Sequence, residues 1–451
     1  MAKQQESGRP ETSPATGLSR FLPAWLKSGT LGRNTIWMFM GHGMGILIKA
    51  GYFIIIARIL GPRQYGAFAG VVALVAILAP FATFGSGNLL VKNVSRDRSL
   101  FRQYWGNCLL LTFTSGSLLA LLALGLSSII LAHRIPLMLV LLVSLADLLF
   151  ARMVDVSVQA FQAFEMVAHM ARLNVVAGTF RLLGAVIVGI TVSHPTAVVW
   201  GIVYVGSSSI GAIWGLIWVS RLLGTPSLAI WRIAPEFAEG CYFSVSQSAQ
   251  SIYNDIDKTM LTRLGSLDAV GIYAAAYRLI DAGFIPIRSL LYAAYPRFFQ
   301  HGATGISGST RYARRLLPRS GGYGILACMA LIFCAPVIPK VLGKEYLATV
   351  EAVRWLAPII FFRSIHYFLA DSLTGAGHQG KRTAMQAGVA LLNVALNLWL
   401  IPLYSWRGAA WASLASDGSL MVGLFIIIAL LFRKETKRQV LESAGNVTVE
   451  A

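Results

Sequence analysis

"ARILGPRQYGAFAGVVALVAIL", residues 57–78, sets apolar sequence on both sides of a short polar turn, GPRQYG. The run before the turn reaches back to about residue 35 and the run after it forward to about residue 91. Each is long enough to cross the roughly 30 Å of bilayer hydrocarbon, which takes a helix of about 20 residues. Two crossing helices joined at the turn is the local reading, and the pattern repeats along the chain. Apolar runs fall near 35–59, 66–91, 106–132, 137–162, 173–192, 197–219, 241–263, 270–295, 320–341, 350–373, 384–402 and 409–432. With 56% hydrophobic and 13% charged residues over 451 positions, and a mean hydropathy of +0.65, a soluble protein is excluded. The expectation is an all-α integral membrane protein of about twelve transmembrane helices.

The formal charge of +19 raises nucleic acid as a partner, and its distribution removes it. Basic residues gather in alternate loops: Lys92, Arg96, Arg98 and Arg102; Arg311, Arg314, Arg315 and Arg319; Lys381 and Arg382; and Arg433, Lys434, Lys437 and Arg438. The intervening turns, "GPRQYG", "AHRIP", "SHPT", "GSLDAV" and "YSWRG", carry at most one Arg each. By the positive-inside rule the first set is cytoplasmic, and so are both termini. Residues 1–32 read as a polar cytoplasmic tail with no signal peptide. Within it "LSRFLPAWLKS", residues 18–28, is either a short surface helix or a linker. The four cysteines are scattered, with no CxxC or Cys/His cluster, so neither a metal site nor any cofactor is expected.

The longest polar break near the midpoint, 220–240, leaves six expected helices on each side. The expected domains are therefore the tail, a six-helix lobe over 33–219, a cytoplasmic linker at 220–240, a second lobe over 241–432 and a tail over 433–451. "RILGPRQYGAF" (58–68) and "TRLGSLDAVGIY" (262–273) match if one residue is inserted. A duplicated six-helix unit explains the match; chance is the alternative for a single short stretch. Transporters built from repeats often hold their site between them.

"NDIDKTML", residues 254–261, places three charges inside an apolar span. At 100° per residue, Ser244, Gln247, Ser248, Gln250, Ser251, Asn254, Asp255, Asp257 and Lys258 form one polar side of the seventh helix. Such a face is tolerated only against protein or water, since each intramembrane charge costs about 2.5–3.5 kcal/mol. Asp255 and Lys258, at i and i+3, can pair. Asp257 lies about 160° from Asp255 at that angular step and has no such local partner. It reads either as a proton-coupling carboxyl or as the partner of Arg278 or another helix. Other spans carry Lys49, Arg152, Arg181, Arg363, and a face of Tyr277, Arg278, Asp281, Arg288, Tyr292 and Tyr295. The set predicts a hydrated, cation-rich central cavity. The candidate substrate groups are Lys49, Arg152, Arg181, Lys258, Arg278, Arg288, Arg363, Tyr277 and Tyr292, with Asp255, Asp257 and Asp281 as cavity acids or ion-coupling groups. Guanidinium forks beside tyrosines suit a phosphate that carries sugars.

The stretches 57–78, 254–281 and 375–413, "GAGHQGKRTAMQAGVALLNVALNLWLIPLYSWRGAAWAS" being the last, resemble the bacterial polysaccharide and O-antigen (Wzx-type) flippases of the multidrug/oligosaccharidyl-lipid/polysaccharide exporter superfamily. The resemblance runs from about 33 to 432. It implies two six-helix bundles set as a V around the cavity. It also implies alternating-access transfer of an undecaprenyl-pyrophosphate-linked oligosaccharide across the inner membrane, with ion-gradient coupling and without nucleotide hydrolysis. Membrane lipid, a polysaccharide polymerase and chain-length proteins are the further partners it implies. Asp257, Lys258, Arg278 and Arg382 fall where such flippases carry the same residue types. A glycosyltransferase using "DID" (255–257) is disfavoured, because its carboxylates point apart on one helix. A cation-coupled multidrug exporter of the same fold is the main alternative.

Overall fold

The computed structural model describes residues 29–131 and 135–447. Most of the expected N-terminal tail, the segment 18–28 within it and the end of the C-terminal tail lie outside those residues. Among the described residues there is no strand, and twelve helical crossings follow one another: α1 (29–60), α2 (62–94), α3 (Phe101–Ile130), α4 (Leu137–Ala163), α5 (Val167–Thr191), α6 (Ala197–Leu223), α7 (Ile233–Leu264), α8 (Leu267–Gly302), α9 (Ile306–Leu342), α10 (347–375), α11 (Gln379–Tyr404) and α12 (Trp406–Val447). Each expected span falls largely within one of them. The first turn is a single residue: Gly61 sits at φ 65°, which breaks Gly29–Leu78 into two helices. Only glycine takes that conformation without strain, and Pro62 is pre-set to start the next helix.

Nine stretches of the described residues are long and apolar enough to cross a membrane, and one of them, Gly43–Ala82, spans the Gly61 bend and so contributes two crossings. The remaining two crossings, α7 and α10, fall short in hydropathy because they carry Asp255, Asp257, Lys258, Glu351, Arg354, Arg363 and Asp371. The break between lobes is shorter than 220–240. α6 runs to Leu223 and α7 begins at Ile233. The connecting segment lies against α3, where the Asn107 side chain both donates to and accepts from the Ala229 backbone at 3.0 Å.

The hydrophobic cores show how the lobes meet. At the end bearing the arginine-rich loops each lobe has its own core, around Phe101, Trp105 and Phe161 in the first and around Leu369, Leu420 and Leu424 in the second. At the opposite end a single core runs through both, from Ile56 and Val71 to Val270, Ile280 and Leu356. The lobes thus share one core at the Gly61 end, whereas at the other end each has its own core and α2 still meets α7, with Gly85 against Gly240 and the Phe84 and Phe237 rings 5.2 Å apart. The shared end is closed backbone to backbone. A Cβ on Gly66 would collide with the Leu267 carbonyl, and one on Gly271 with the Pro62 carbonyl. Tyr346 donates to the Ala57 carbonyl at 2.9 Å beside them. Gly66 and Gly271 are the matched glycines of the two similar stretches, which therefore meet across the seam. Outward-facing Leu118, Ile190, Leu326, Phe333, Leu391 and Trp399 are exposed, as lipid-facing side chains must be.

Candidate functional site

Between the lobes lies a cavity of about 690 Å³, within the range of small-molecule sites. One wall is a single face of α2, Tyr65, Phe68, Ala69, Val72, Ala73 and Ala76, at helical steps of three and four. The rest belongs to the second lobe: Asn254, Asp255 and Lys258 on α7; Tyr277, Arg278, Asp281, Phe284, Arg288, Tyr292 and Tyr295 among others on α8; Arg363, Tyr367 and Asp371 on α10; and Arg382 on α11. Every charged group lining it comes from that lobe.

The carboxylates are already matched. Lys258 Nζ stands 2.9 Å from Asp255 Oδ1 and donates to the Asn254 carbonyl at 2.7 Å. Arg363 lies 3.7 Å from Asp281 and, on its other side, 3.6 Å from Asp417. Arg382 bonds Asp371 at 3.0 Å and Thr374 at 2.7 Å. Tyr277 separates two of these cations, with Lys258 4.3 Å and Arg363 5.7 Å from its ring centre, a cation–π arrangement on one buried ring. Behind Arg363, buried Asp417 accepts from Tyr253 and contacts His366 Nε2, both at 2.9 Å. Among the described residues, no carboxylate forms an ion pair with Arg278 or Arg288. Both are open to the cavity.

Of the residues expected from sequence, Lys258, Arg278, Arg288, Arg363, Tyr277, Tyr292, Asp255 and Asp281 line this cavity. Lys49, Arg152, Arg181 and Asp257 do not. Lys49 is exposed on α1. Arg152 pairs with Asp155 at 2.9 Å on its own helix. Arg181 is held inside the first lobe, 4.8 Å over the Tyr204 ring and 3.3 Å from Ser208, where Tyr204 donates to Asp147 at 2.6 Å. Asp257 is buried in the helix packing and is not without a partner. It accepts from Tyr273 at 2.5 Å, Ser413 at 3.2 Å and the Lys258 N–H at 2.7 Å, and stands 3.6 Å from Lys258 Nζ. The polar side of α7 is divided likewise. Ser244 and Ser248 donate to the Pro80 and Ile77 carbonyls of α2, so they join helices and do not line water. Tyr367, Asp371, Tyr295 and Arg382 carried a sequence signal in their helical stripes and basic loop without being nominated for the site. Tyr65 carried none, because an aromatic just past a turn is unremarkable in such a chain.

The family model described as polysaccharide biosynthesis protein matches residues 31–301. No curated protein sequence matches. Several solved structures share the fold. An inward-facing multidrug resistance MATE family transporter of the MOP superfamily is 13% identical, with a TM-score of 0.68 over 86% of this chain and 96% of that one. The lipid II flippase MurJ, in an inward closed conformation, is 13% identical, with a TM-score of 0.64 over 88% of this chain and 87% of that one. A MOP superfamily transporter from Pyrococcus furiosus, described by the reverse polarity of its binding pocket, is 14% identical, with a TM-score of 0.57 over 89% of this chain and 95% of that one.

Proposed function

Because the chain belongs to the polysaccharide biosynthesis protein family, we propose that it is a flippase moving a polyprenyl-pyrophosphate-linked oligosaccharide across the bacterial inner membrane, by alternating access, for surface polysaccharide biosynthesis. The observation that carries this reading is the charge balance of the cavity. Lys258, Arg363 and Arg382 are engaged by Asp255, Asp281 and Asp371, with buried Asp257 and Asp417 also 3.6 Å from the first two, whereas Arg278 and Arg288 have no carboxylate in ion-pair contact among the described residues and are left for a ligand. A pyrophosphate diester is doubly anionic, and guanidinium binds its oxygens in a planar fork. The ten-residue step from one arginine to the other amounts to about 15 Å of helix, so they make an outer and an inner station on one path. Tyrosines at both levels offer faces for sugar rings, and the apolar wall from α2 presents no competing charge.

The alternative is a cation-coupled multidrug exporter of the same fold. A cationic drug would meet the cations Lys258, Arg278, Arg288, Arg363 and Arg382, three of them offset by carboxylates, so the cavity's charge favours the anionic substrate. The test is surface polysaccharide in a host lacking its own flippase, complemented with variants at both arginines. Charge-assisted contacts contribute about 1.5–3 kcal/mol each, so Arg278→Ala and Arg288→Ala should each cut export roughly tenfold or more, with Lys retaining part of it. Normal polymer from a stable, membrane-inserted double Ala variant would end the pyrophosphate reading. Resistance to a cationic dye in its place would establish the exporter.

A further inference from the structure

At the arginine-rich end of the second lobe a smaller cavity, of about 210 Å³, opens between α9, α10 and α12. Ala313, Leu317, Leu369 and Ile428 form its apolar wall, and Arg314 and Arg433 stand at its rim. It is independent of the central cavity. α10 is the partition, with Leu369 facing this side and Tyr367 and Asp371 facing the other.

The rim is positive and uncompensated. Among the described residues no carboxylate pairs with Arg314 or Arg433. Glu435, two residues beyond Arg433, accepts from the Ser307 N–H at 2.9 Å and so is engaged at the start of α9. Arg314 lies 5.8 Å over the Phe432 ring, which holds its guanidinium at the rim. Arg433 falls at the end of the apolar span Trp406–Glu435, the level at which a membrane helix meets lipid headgroups. An apolar slot beneath two unpaired guanidinium groups at that level matches one molecule class, a lipid whose phosphate is negative and whose acyl chain fills the slot.

We infer that this corner is a binding site for an anionic glycerophospholipid of the surrounding leaflet, with its phosphate between Arg314 and Arg433 and an acyl chain against Leu317, Leu369 and Ile428. The phospholipid is preferred over the polyprenyl carrier because the slot is too small for a glycan and α10 closes it from the cavity that could hold one. The site is separate from the transport path, and the lipid acts as a resident wedge between α9 and α12.

The test uses the full chain, delipidated in detergent and titrated by native mass spectrometry. Phosphatidylglycerol is compared with phosphatidylcholine of the same chains and with undecaprenyl phosphate. Phosphatidylglycerol should be retained preferentially. Arg314→Gln with Arg433→Gln should lower its apparent affinity roughly twenty-five-fold, about fivefold per guanidinium. Ala429→Trp, which fills the slot and keeps both arginines, should abolish retention and serves as the second variant if the first does not fold. Equal retention of phosphatidylcholine, unchanged phosphatidylglycerol binding in both variants, or preferential capture of undecaprenyl phosphate at the same rim would each overturn the assignment.

Discussion

Deleting the Asp257 carboxylate would leave Tyr273 and Ser413 still within 2.9 Å of each other and Lys258 still paired with Asp255. The loss is therefore three hydrogen bonds in a buried position. We expect Asp257→Ala to lower stability by about 1–3 kcal/mol, and Asp255→Ala, whose side chain is 30% exposed, by less than about 1 kcal/mol. Thermal unfolding of the purified variants in detergent checks the order. Asp257→Asn keeps an oxygen for the Lys258 N–H, and the Tyr273 hydroxyl can turn to accept from the new amide while it donates to Ser413, so the variant should still transport and should keep its dependence on any ion gradient. Transport that loses that dependence in the Asn variant would restore the coupling role. The helical wheel set the two aspartates on opposite sides of α7, and Asp255 lines the cavity while Asp257 is buried. It had no means of saying which of the two directions met water, because that depends on α8 and α12 lying against Asp257. The place of Arg181 was hidden for the same reason, since Tyr204 and Ser208 are supplied by another helix.

On the proposed alternating-access reading, the element that must open is the seam between the start of α2 and the start of α8. Gly66 and Gly271 bring the two backbones together, and a methyl group on either would overlap a carbonyl of the other lobe. In Gly66→Ala the helices must part, while each lobe keeps its own core at the other end. We expect the variant to shift toward the state in which this end is open, by about 1–3 kcal/mol, the usual cost of overpacking a close contact. Spin-label distances across the seam should lengthen, and an unchanged distribution would mean that the seam yields without opening. The matched turns were legible in sequence because they share Gly and aromatic residues at similar spacing. That the two glycines touch was not, because similar stretches reveal likeness and not where each lies in space.

For the molecule as a whole, twelve crossings were readable because the bilayer fixes their length and polarity. Even α7 and α10, the two least apolar, were legible. The distribution of function between the lobes was not. Charge occurs in both, yet the cavity draws its charged groups from the second lobe alone and takes an apolar wall from α2. Orientation remains a proposal from the loop charges. The loop at 95–100 and the end of α12 are expected in the cytoplasm, which reporter fusions at both sites would test, and an external signal from either would invert the chain. That placement turns the two separate cores toward the cytoplasm, and on the proposed alternating-access reading it leaves apolar surface of the shared core as what is wetted when the Gly61 end opens. Wetting hydrocarbon carries a large positive heat capacity. The ratio of closed to open molecules therefore cannot follow a straight line against reciprocal temperature: the enthalpy separating the two states itself drifts with temperature, so that warming and cooling from the optimum both loosen the same seal.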